Sequence, residues 1–541
     1  MKRVAGALCL MMSIGMMAQA ADLAALKERA VAGVEARAKL AQQINDSIFS
    51  FAELGYQEFE TSRYLTTLLE RSGFEVERGV AGIPTAWVAR WTNGQGGPVI
   101  ALGSDIDCIP KASQKPGIPW HEPLVEGAPG HGEGHNSGQA LNVVAAFALQ
   151  EIMRRENIAG TLMLWPGVAE ELLGGKAYMV RDGVFEGVDA VIFTHVSDNL
   201  AVSWGQPRGT GLVSVEYTFH GEAAHSAMAP WRGRSALDAV ELMNMAWDKR
   251  REHLRPEQRS HYVITDGGDQ PNVVPPVASV WYYFREQTFD GIQKNFAIGN
   301  RIAEAAAMMT DTTVTRRIRG AAAPQHFNKP IAEAAARNIE AVGLPAWSAD
   351  EQAFARAVQK SVGAKEEGLA TRLDGLKPPQ PEPSSGGSDD IGDVSWNVPT
   401  IVVRYPANIP GLPGHHWSNA IAMATPIAHK GVVAGAKVVA MTTLDLLTNE
   451  ELRHAALQYF SDVQTKDQKY VPVLGAADRP VVEMNADTMA RYREQLKKYY
   501  YDPSRYDTYL DQLGVKFPTL TKEDAERRLS SGRRPPRATA R

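Results

Sequence analysis

Apolar residues recur at three- and four-residue spacing over positions 22–50, with Ala, Lys and Glu between them, and the spacing resumes over 61–72 after Leu54-Gly55-Tyr56. Such spacing draws one apolar stripe along a helix, so two helices are predicted at the start of the chain. The period then changes. Residues 85–91 and 98–103 read as strands, and the second delivers Asp105 and Asp107 to its end. A helix is predicted over 139–154 and a short buried strand over 162–166. That strand runs into Glu170-Glu171 and then Leu172-Leu173-Gly174-Gly175, a turn that opens a further helix. Residues 188–195 form another apolar run with His195 at its C-terminal end. Strands alternating with helices predict an α/β fold, a mostly parallel mixed sheet flanked by helices.

Near Leu212 the pattern shifts. Residues 213–219 alternate like a half-exposed strand, 235–247 are helical, and 279–285 make a strand rich in Trp and Tyr. A helix over 290–309 and a strand over 312–318 complete a smaller α+β unit inserted into the first. From 325 onward the segments read as helical, and 376–388 is a Pro/Gly/Ser-rich loop leading to Asp389-Asp390. The expected partition is 1–20, 21–208, 209–322, 323–447 and 448–541.

With 541 residues, 44% hydrophobic and 22% charged, the chain can bury substantial cores. A net charge of -5 excludes the strongly basic footprint of a nucleic-acid binder. Lys2 and Arg3 before the apolar run 4–17, then Ala18-Gln19-Ala20, predict a secretory signal peptide cut after Ala20. That run is short for a membrane span, so the expected product is an exported soluble protein, periplasmic in a Gram-negative host, with no membrane span after cleavage. Cys108 would then be the only cysteine, which excludes an intramolecular disulfide. The last 90 or so residues form an extension, tyrosine-rich over 497–509, whose basic end at Arg533-Arg534-Pro535-Pro536-Arg537 reads as a disordered, solvated tail.

The chemistry concentrates in Gly130-His131-Gly132-Glu133-Gly134-His135-Asn136, where glycines leave room for two imidazoles and a carboxylate to crowd one point. Taken alone, the run fits a metal site or a plain surface turn. Glu170-Glu171 and His195 follow successive strands, and groups beyond the carboxyl ends of strands in an open α/β sheet can converge. Gly414-His415-His416-Trp417 adds two more imidazoles.

Taken with Ser104-Asp105-Ile106-Asp107-Cys108-Ile109-Pro110, Gly221-Glu222-Ala223-Ala224-His225-Ser226, Pro271-Asn272-Val273-Val274-Pro275 and Gly387-Ser388-Asp389-Asp390-Ile391-Gly392-Asp393, these runs resemble the M20 metallopeptidases, in particular their amidohydrolase branch. The resemblance extends in order from about 22 to 447. It implies a metallopeptidase catalytic domain with an inserted lid and dimerisation domain, and two divalent metal ions held by Glu133, His135, Glu171, His195 and His415. Glu133 stands where that branch commonly has a cysteine. The harder oxygen ligand shifts the expected metal from Zn2+ toward Mn2+ or Co2+. Glu170 matches the family's general base, and Asp107 fits a group orienting a histidine ligand. His225 matches a lid histidine that reaches the partner subunit's site, and Asn272 and Arg285 match lid positions that bind the substrate's carboxylate or backbone. Asp105 is not counted as a ligand. His131 and His416 are rivals to His135 and His415, and His261 and His429 read as structural.

The implied activity is hydrolysis of the amide bond in small N-acyl or N-aroyl amino acids, aminobenzoyl-glutamate-like or dipeptide-like. The alternatives are a peptidase of the same family and an inactive binding protein on the same fold. A homodimer through the lid and a second subunit type are both compatible with the resemblance.

Overall fold

The computed structural model describes residues 23–206, 209–379 and 386–524. The expected signal peptide and the basic end at 533–537 lie outside the described residues.

Two sheets carry the chain. The strands in order are β1 (Glu75–Arg78), β2 (Trp87–Asn93), β3 (Val99–Asp105), β4 (Gly160–Gly167), β5 (Ala190–Ser197), β6 (Ala201–Ser203), β7 (Gly211–His220), β8 (Arg259–Asp266), β9 (Val277–Glu286), β10 (Thr313–Ala322), β11 (Gly375–Lys377) and β12 (Thr400–Pro406). The larger sheet runs β1-β2-β4-β3-β5-β12-β6-β11 and the smaller β10-β7-β9-β8. In the large sheet β4, β3, β5 and β12 are mutually parallel, with antiparallel β1 and β2 at one side. Parallel strands buried on both faces read as continuous apolar runs, as Val191-Ile192-Phe193 and Ile401-Val402-Val403 do. The helix Gly138–Glu156 links β3 to β4 and packs on the helix Pro426–Thr448. The latter is apolar and long enough to cross a bilayer, yet 83% of its most apolar window is buried within the protein, which makes it a core helix.

The second sheet is wholly antiparallel, with helices Ala236–Arg251 and Phe289–Met309 on one face. Both begin at caps that accept a backbone N–H, Ser235 from Asp238 and Thr288 from Gly291. A separate antiparallel unit interrupting a mixed α/β domain agrees with the fold expected from the pattern.

Three expectations are corrected. The single helix read over 22–50 is two, residues 23–35 and Ala38–Phe51, parted by a turn at 36–37. Val34 and Ala41 keep a seven-residue spacing across the turn and both are fully buried, so the apolar stripe continues through the break. Central strand β12 lies where only helices and a loop were read, because its continuous apolar run, Ile401-Val402-Val403, is too short to carry a period of its own. Edge strand β8 went unread because its exposed residues do not alternate cleanly.

Over residues 448–524 the extension is built into the fold. Helices Glu450–Tyr459 and Ala486–Leu496 pack on the catalytic unit, Tyr470 donates to buried Asp393 (2.6 Å), and Asn485 donates to the Gly55 carbonyl.

Candidate metal centre and its surroundings

Strands β4, β3, β5 and β12 present their carboxyl ends to one edge of the large sheet, and the site lies there. β3 ends in Asp105 and leads to Asp107. β4 leads to Ala169-Glu170-Glu171, and β5 carries His195. The Gly/His loop precedes helix Gly138–Glu156. Gly130 cannot carry a side chain, because a Cβ would lie 2.2 Å from the Ala112 carbonyl oxygen, and Gly134 has φ 113°, which glycine adopts freely.

The Glu170 turn is held in a costly shape. Ala169 and Leu173 on either side of it have φ of 51° and 53°, each worth about 1–2 kcal/mol of strain for a residue with a Cβ. The neighbourhood fixes that shape. Fully buried Glu58 accepts the Ala169 N–H (2.8 Å) and the Thr85 hydroxyl (2.8 Å), and Asp107 Oδ2 accepts the Glu171 N–H (3.1 Å).

Five side chains converge in front of this turn. His135 Nδ1 lies 3.8 Å from Glu171 Oε1, and His195 Nε2 is 4.0 Å from Glu133 Oε1. His415 Nε2 lies 3.8 Å from Glu133 Oε2 and 3.5 Å from Glu171 Oε2. The His135 and His195 rings meet edge to face at 5.4 Å. Glu170 is at the rim of the group, 4.0 Å from His135 Nε2, and Asp107 Oδ1 is 3.5 Å from His135 Nδ1. Glu133, His135, Glu171, His195 and His415 therefore share one space, with Glu170 and Asp107 against it.

Several polar atoms in that space are buried without a hydrogen-bond partner: both ring nitrogens of His135, Glu171 Oε1, Asp107 Oδ1 and Asp105 Oδ2. Orphaned buried polar atoms are expensive, and a cation among them would satisfy nitrogen and oxygen together. The electrostatics agree. Burial raises the Glu171 carboxyl to about 8, and raises Glu170 well above the usual range with help from Asp105 and Asp389. Burial lowers the His135 imidazole, but Asp107, Asp105 and Glu171 outweigh it and push it up to about 10. A field that holds a proton so firmly attracts a metal ion in the same way.

His195 is driven the other way, held well below its ordinary value by burial and by Arg404, so it stays neutral as a ligand must. Its Nδ1 is 2.9 Å from both the Val196 carbonyl and Arg404 Nη1. One nitrogen cannot donate to the first and accept from the second at once. Were His195 to ligate a metal through its other nitrogen, the proton would belong on Nδ1, donated to Val196.

The rival histidines point elsewhere. His131 stacks on Phe49 and bonds the Ile48 carbonyl (3.1 Å), and burial pushes it down to about 3. His416 accepts the Ser418 N–H and starts the helix Trp417–Ala420. His429 bonds Asp46 (2.7 Å) inside the fold. His261, read as structural, is instead exposed on the edge strand β8.

The lid residues divide into two groups. Asn272 and His225 share one loop cluster, where His225 pairs with Val273 and Ser226 donates to the Asn272 carbonyl. Arg285 is at the opposite end of β9, where it donates to Ser388 of the catalytic unit (2.9 Å). Eight residues of strand, at about 3.4 Å each, separate Val277 from Arg285 by roughly 27 Å. Asn272 and Arg285, read together as substrate-binding, cannot serve the same site within one chain.

Lys176 carried no signal in the sequence. It is fully buried, with Nζ bonded to Asp105 (2.6 Å) and Asp390 and its backbone N–H bonded to Asp390 Oδ2 (3.0 Å). One Asp105 oxygen thus neutralises a lysine, while the residue still offers an oxygen within 4.8 Å of ring nitrogens of His135 and His195. A lysine at a helix start is ordinarily solvated, so nothing short of the fold reveals this pairing.

The fold and this cluster define a metal-dependent hydrolase of amide bonds. Residues 210–306 match the peptidase dimerisation domain characteristic of M20 enzymes. The chain is 32% identical to one of the subunits of p-aminobenzoyl-glutamate hydrolase from Escherichia coli K12, over 81% of this chain and 96% of that protein, and it belongs to the M20 peptidase family. It is also 29% identical to Xaa-Arg dipeptidase of Mus musculus over 82% of this chain and 93% of the relative. In fold it resembles the crystal structure of the aminobenzoyl-glutamate utilization protein from Klebsiella pneumoniae, with TM-score 0.54 and 16% identity over 76% of this chain and 97% of that one.

Proposed function

We propose that the chain is an exported, dinuclear, homodimeric amidohydrolase that releases an amino acid with a free carboxylate from small N-acyl or N-aroyl conjugates, of the kind named in its bacterial relative. The observation that carries this reading is the convergence of Glu133, His135, Glu171, His195 and His415, with their orphaned atoms, beside a buried Glu170. These five residues would hold two divalent ions, and the carboxylate at Glu133 favours Mn2+ or Co2+ beside Zn2+. The ions would supply Lewis acidity, polarising the scissile carbonyl and acidifying water between them.

The protein's own groups do the rest. Glu170 takes the proton of the attacking water and passes it to the leaving nitrogen, a task suited to a carboxyl whose affinity for protons is raised by burial. Asp107 keeps the His135 ring in place. Arg285, held by Ser388 with its Nε buried and unpartnered, is set to capture the substrate's carboxylate through charge-assisted hydrogen bonds.

His225 and Asn272, a strand's length from Arg285, are suited to a partner's site. The His225 ring accepts the Ala227 and Met228 N–H groups at Nδ1 (3.2 Å each), which leaves Nε2 directed outward to donate to an oxyanion. Exposed Met228 and Trp231 beside it (74% and 73%) are apolar surface suited to contact with a second copy.

Two experiments test the reading. Elemental analysis of the purified protein should find about two metals per chain, and a chelator should abolish cleavage of N-benzoyl amino acids, with activity restored by Mn2+, Co2+ or Zn2+. Full activity after complete metal removal would sink the proposal. For the dimer, His225→Ala and Glu170→Gln homodimers should each be nearly inactive. Mixing them in equal amounts should restore about a quarter of wild-type sites, since half the dimers are mixed and each has one site with both groups intact. No recovery on mixing would place His225 outside the partner's site.

A further inference from the structure

The face of the lid sheet turned toward the catalytic unit bears a row of basic groups that neither the metal cluster nor Glu170 explains. Tyr282 and Phe284 of β9 pack against Trp247 on the helical face, so Trp281, Tyr283 and Arg285 take the other. That other face overlooks the site: Tyr283 packs on Leu173, two residues past Glu171, and Arg285 reaches Ser388.

Edge strand β8 extends this face by one strand. Its register sets Arg259 opposite Arg285 and His261 opposite Tyr283. Residues directly opposed share a face, with Cβ atoms about 4.5–5.5 Å apart. Between them, Ser260 is buried and accepts the Trp247 indole N–H (2.8 Å), which fixes Arg259 and His261 toward the cleft. His261 is exposed there. The Arg285 guanidinium lies over the Tyr283 ring at 5.2 Å, with His261 directly opposite that ring on β8, while Arg259 donates to the Pro256 and Gln258 carbonyls.

We infer that His261, acting beside Arg285, is a specificity-determining residue that receives a second carboxylate on the leaving amino acid, so that the preferred substrates are N-acyl derivatives of dicarboxylic amino acids. The inference rests on the amidohydrolase reading above. Arg285 takes the carboxylate next to the scissile nitrogen, and His261 is its diagonal neighbour across the β8–β9 pair, about 7–8 Å away, a gap that the reach of the two side chains and of an acidic substrate side chain together closes. Burial and the charges of Arg285, Arg251 and Arg259 lower the His261 pKa, so its neutral ring meets the carboxylate through an N–H. A lysine or arginine leaving group would instead meet like charge from Arg285 and Arg259, a repulsion that discriminates as strongly as the attraction.

The test compares kcat/KM for N-benzoyl-glutamate, N-benzoyl-glutamine and N-benzoyl-lysine in the metal-loaded wild type, His261→Ala and His261→Glu. The wild type should favour glutamate over glutamine by about tenfold or more, the worth of a hydrogen bond to a charged group. In His261→Ala that ratio should collapse toward one, chiefly through KM, and His261→Glu should turn the preference toward lysine. Unchanged melting temperatures, expected at an exposed position, separate these effects from misfolding. Equal cleavage of all three substrates by the wild type, or a full glutamate preference in His261→Ala, overturns this inference and leaves the amidohydrolase reading standing. Hydrolysis of none of the three by metal-loaded enzyme overturns both.

Discussion

Glu170→Gln is expected to keep the fold and the metals and to lose turnover by a factor of about 10²–10⁴, the usual worth of a positioned general base. Glutamine has the shape of the carboxyl and none of its capacity to accept and return a proton. Glu170 is buried, 8% exposed, and stands among Asp105, Asp389 and Glu171, which disfavour its charge. Neutralising it relieves that repulsion, so the melting temperature of the variant should equal or exceed that of the wild type. The loss should fall on kcat with KM little changed, since proton transfer is made in the transition state and not in substrate binding. Elemental analysis closes the argument. A variant that has lost its metals would make Glu170 a ligand, and one that keeps both metals and near-normal kcat would remove it from the mechanism.

Much of this site was legible before any fold was known, for a physical reason. The groups after β3, β4 and β5 stand at the ends of buried apolar runs, and such runs are the strongest pattern a parallel sheet leaves in a sequence. The Gly/His loop was equally legible, because the glycines record where the backbone must pass close to its neighbours, as Gly130 does to the Ala112 carbonyl. The rest depends on registers and pairings that no local pattern encodes. Lys176 reads as an ordinary helix-start lysine and becomes a buried counter-charge only when β3 and the Asp389-Asp390 loop close around it. Asn272 and Arg285 are thirteen positions apart in sequence, and only the extended β9 shows that one chain cannot bring them to a single substrate. His261 needs the β8–β9 register to reveal which way it faces.

The extension beyond 447 was the least legible part, and Arg493→Ala is the change that should expose its role. Glu53 is 1% exposed and accepts the backbone N–H groups of Glu60 (3.0 Å) and Thr61 (2.9 Å). Its only cationic partner among the described residues is Arg493, which also donates to the Gln57 carbonyl (2.9 Å). The Glu53 carbonyl in turn holds the Cys108 N–H (2.8 Å), one residue past Asp107, so this pair lies just behind the metal centre. Removing one partner of a buried pair costs about 3–5 kcal/mol, because the other is left charged and unsolvated.

Glu53 has an escape, and it gives the prediction a sign. Burial raises its pKa and Arg493 opposes the rise. A carboxyl raised in the folded state keeps a proton that the unfolded chain, with a pKa near ~4.3, has released. Folding stability then falls as pH rises through the interval between the two values and levels off above the folded one. Without Arg493 the folded value moves higher and the interval widens. Urea unfolding should therefore find Arg493→Ala only slightly weaker than wild type near pH 5 and about 3 kcal/mol weaker near pH 8. The double variant Glu53→Gln, Arg493→Met should recover much of that loss and its pH dependence, since no buried charge remains. A deficit that is the same at both pH values, or absent, would mean that the extension is an appendage; the predicted pattern makes its helix part of the wall on which the catalytic residues are set.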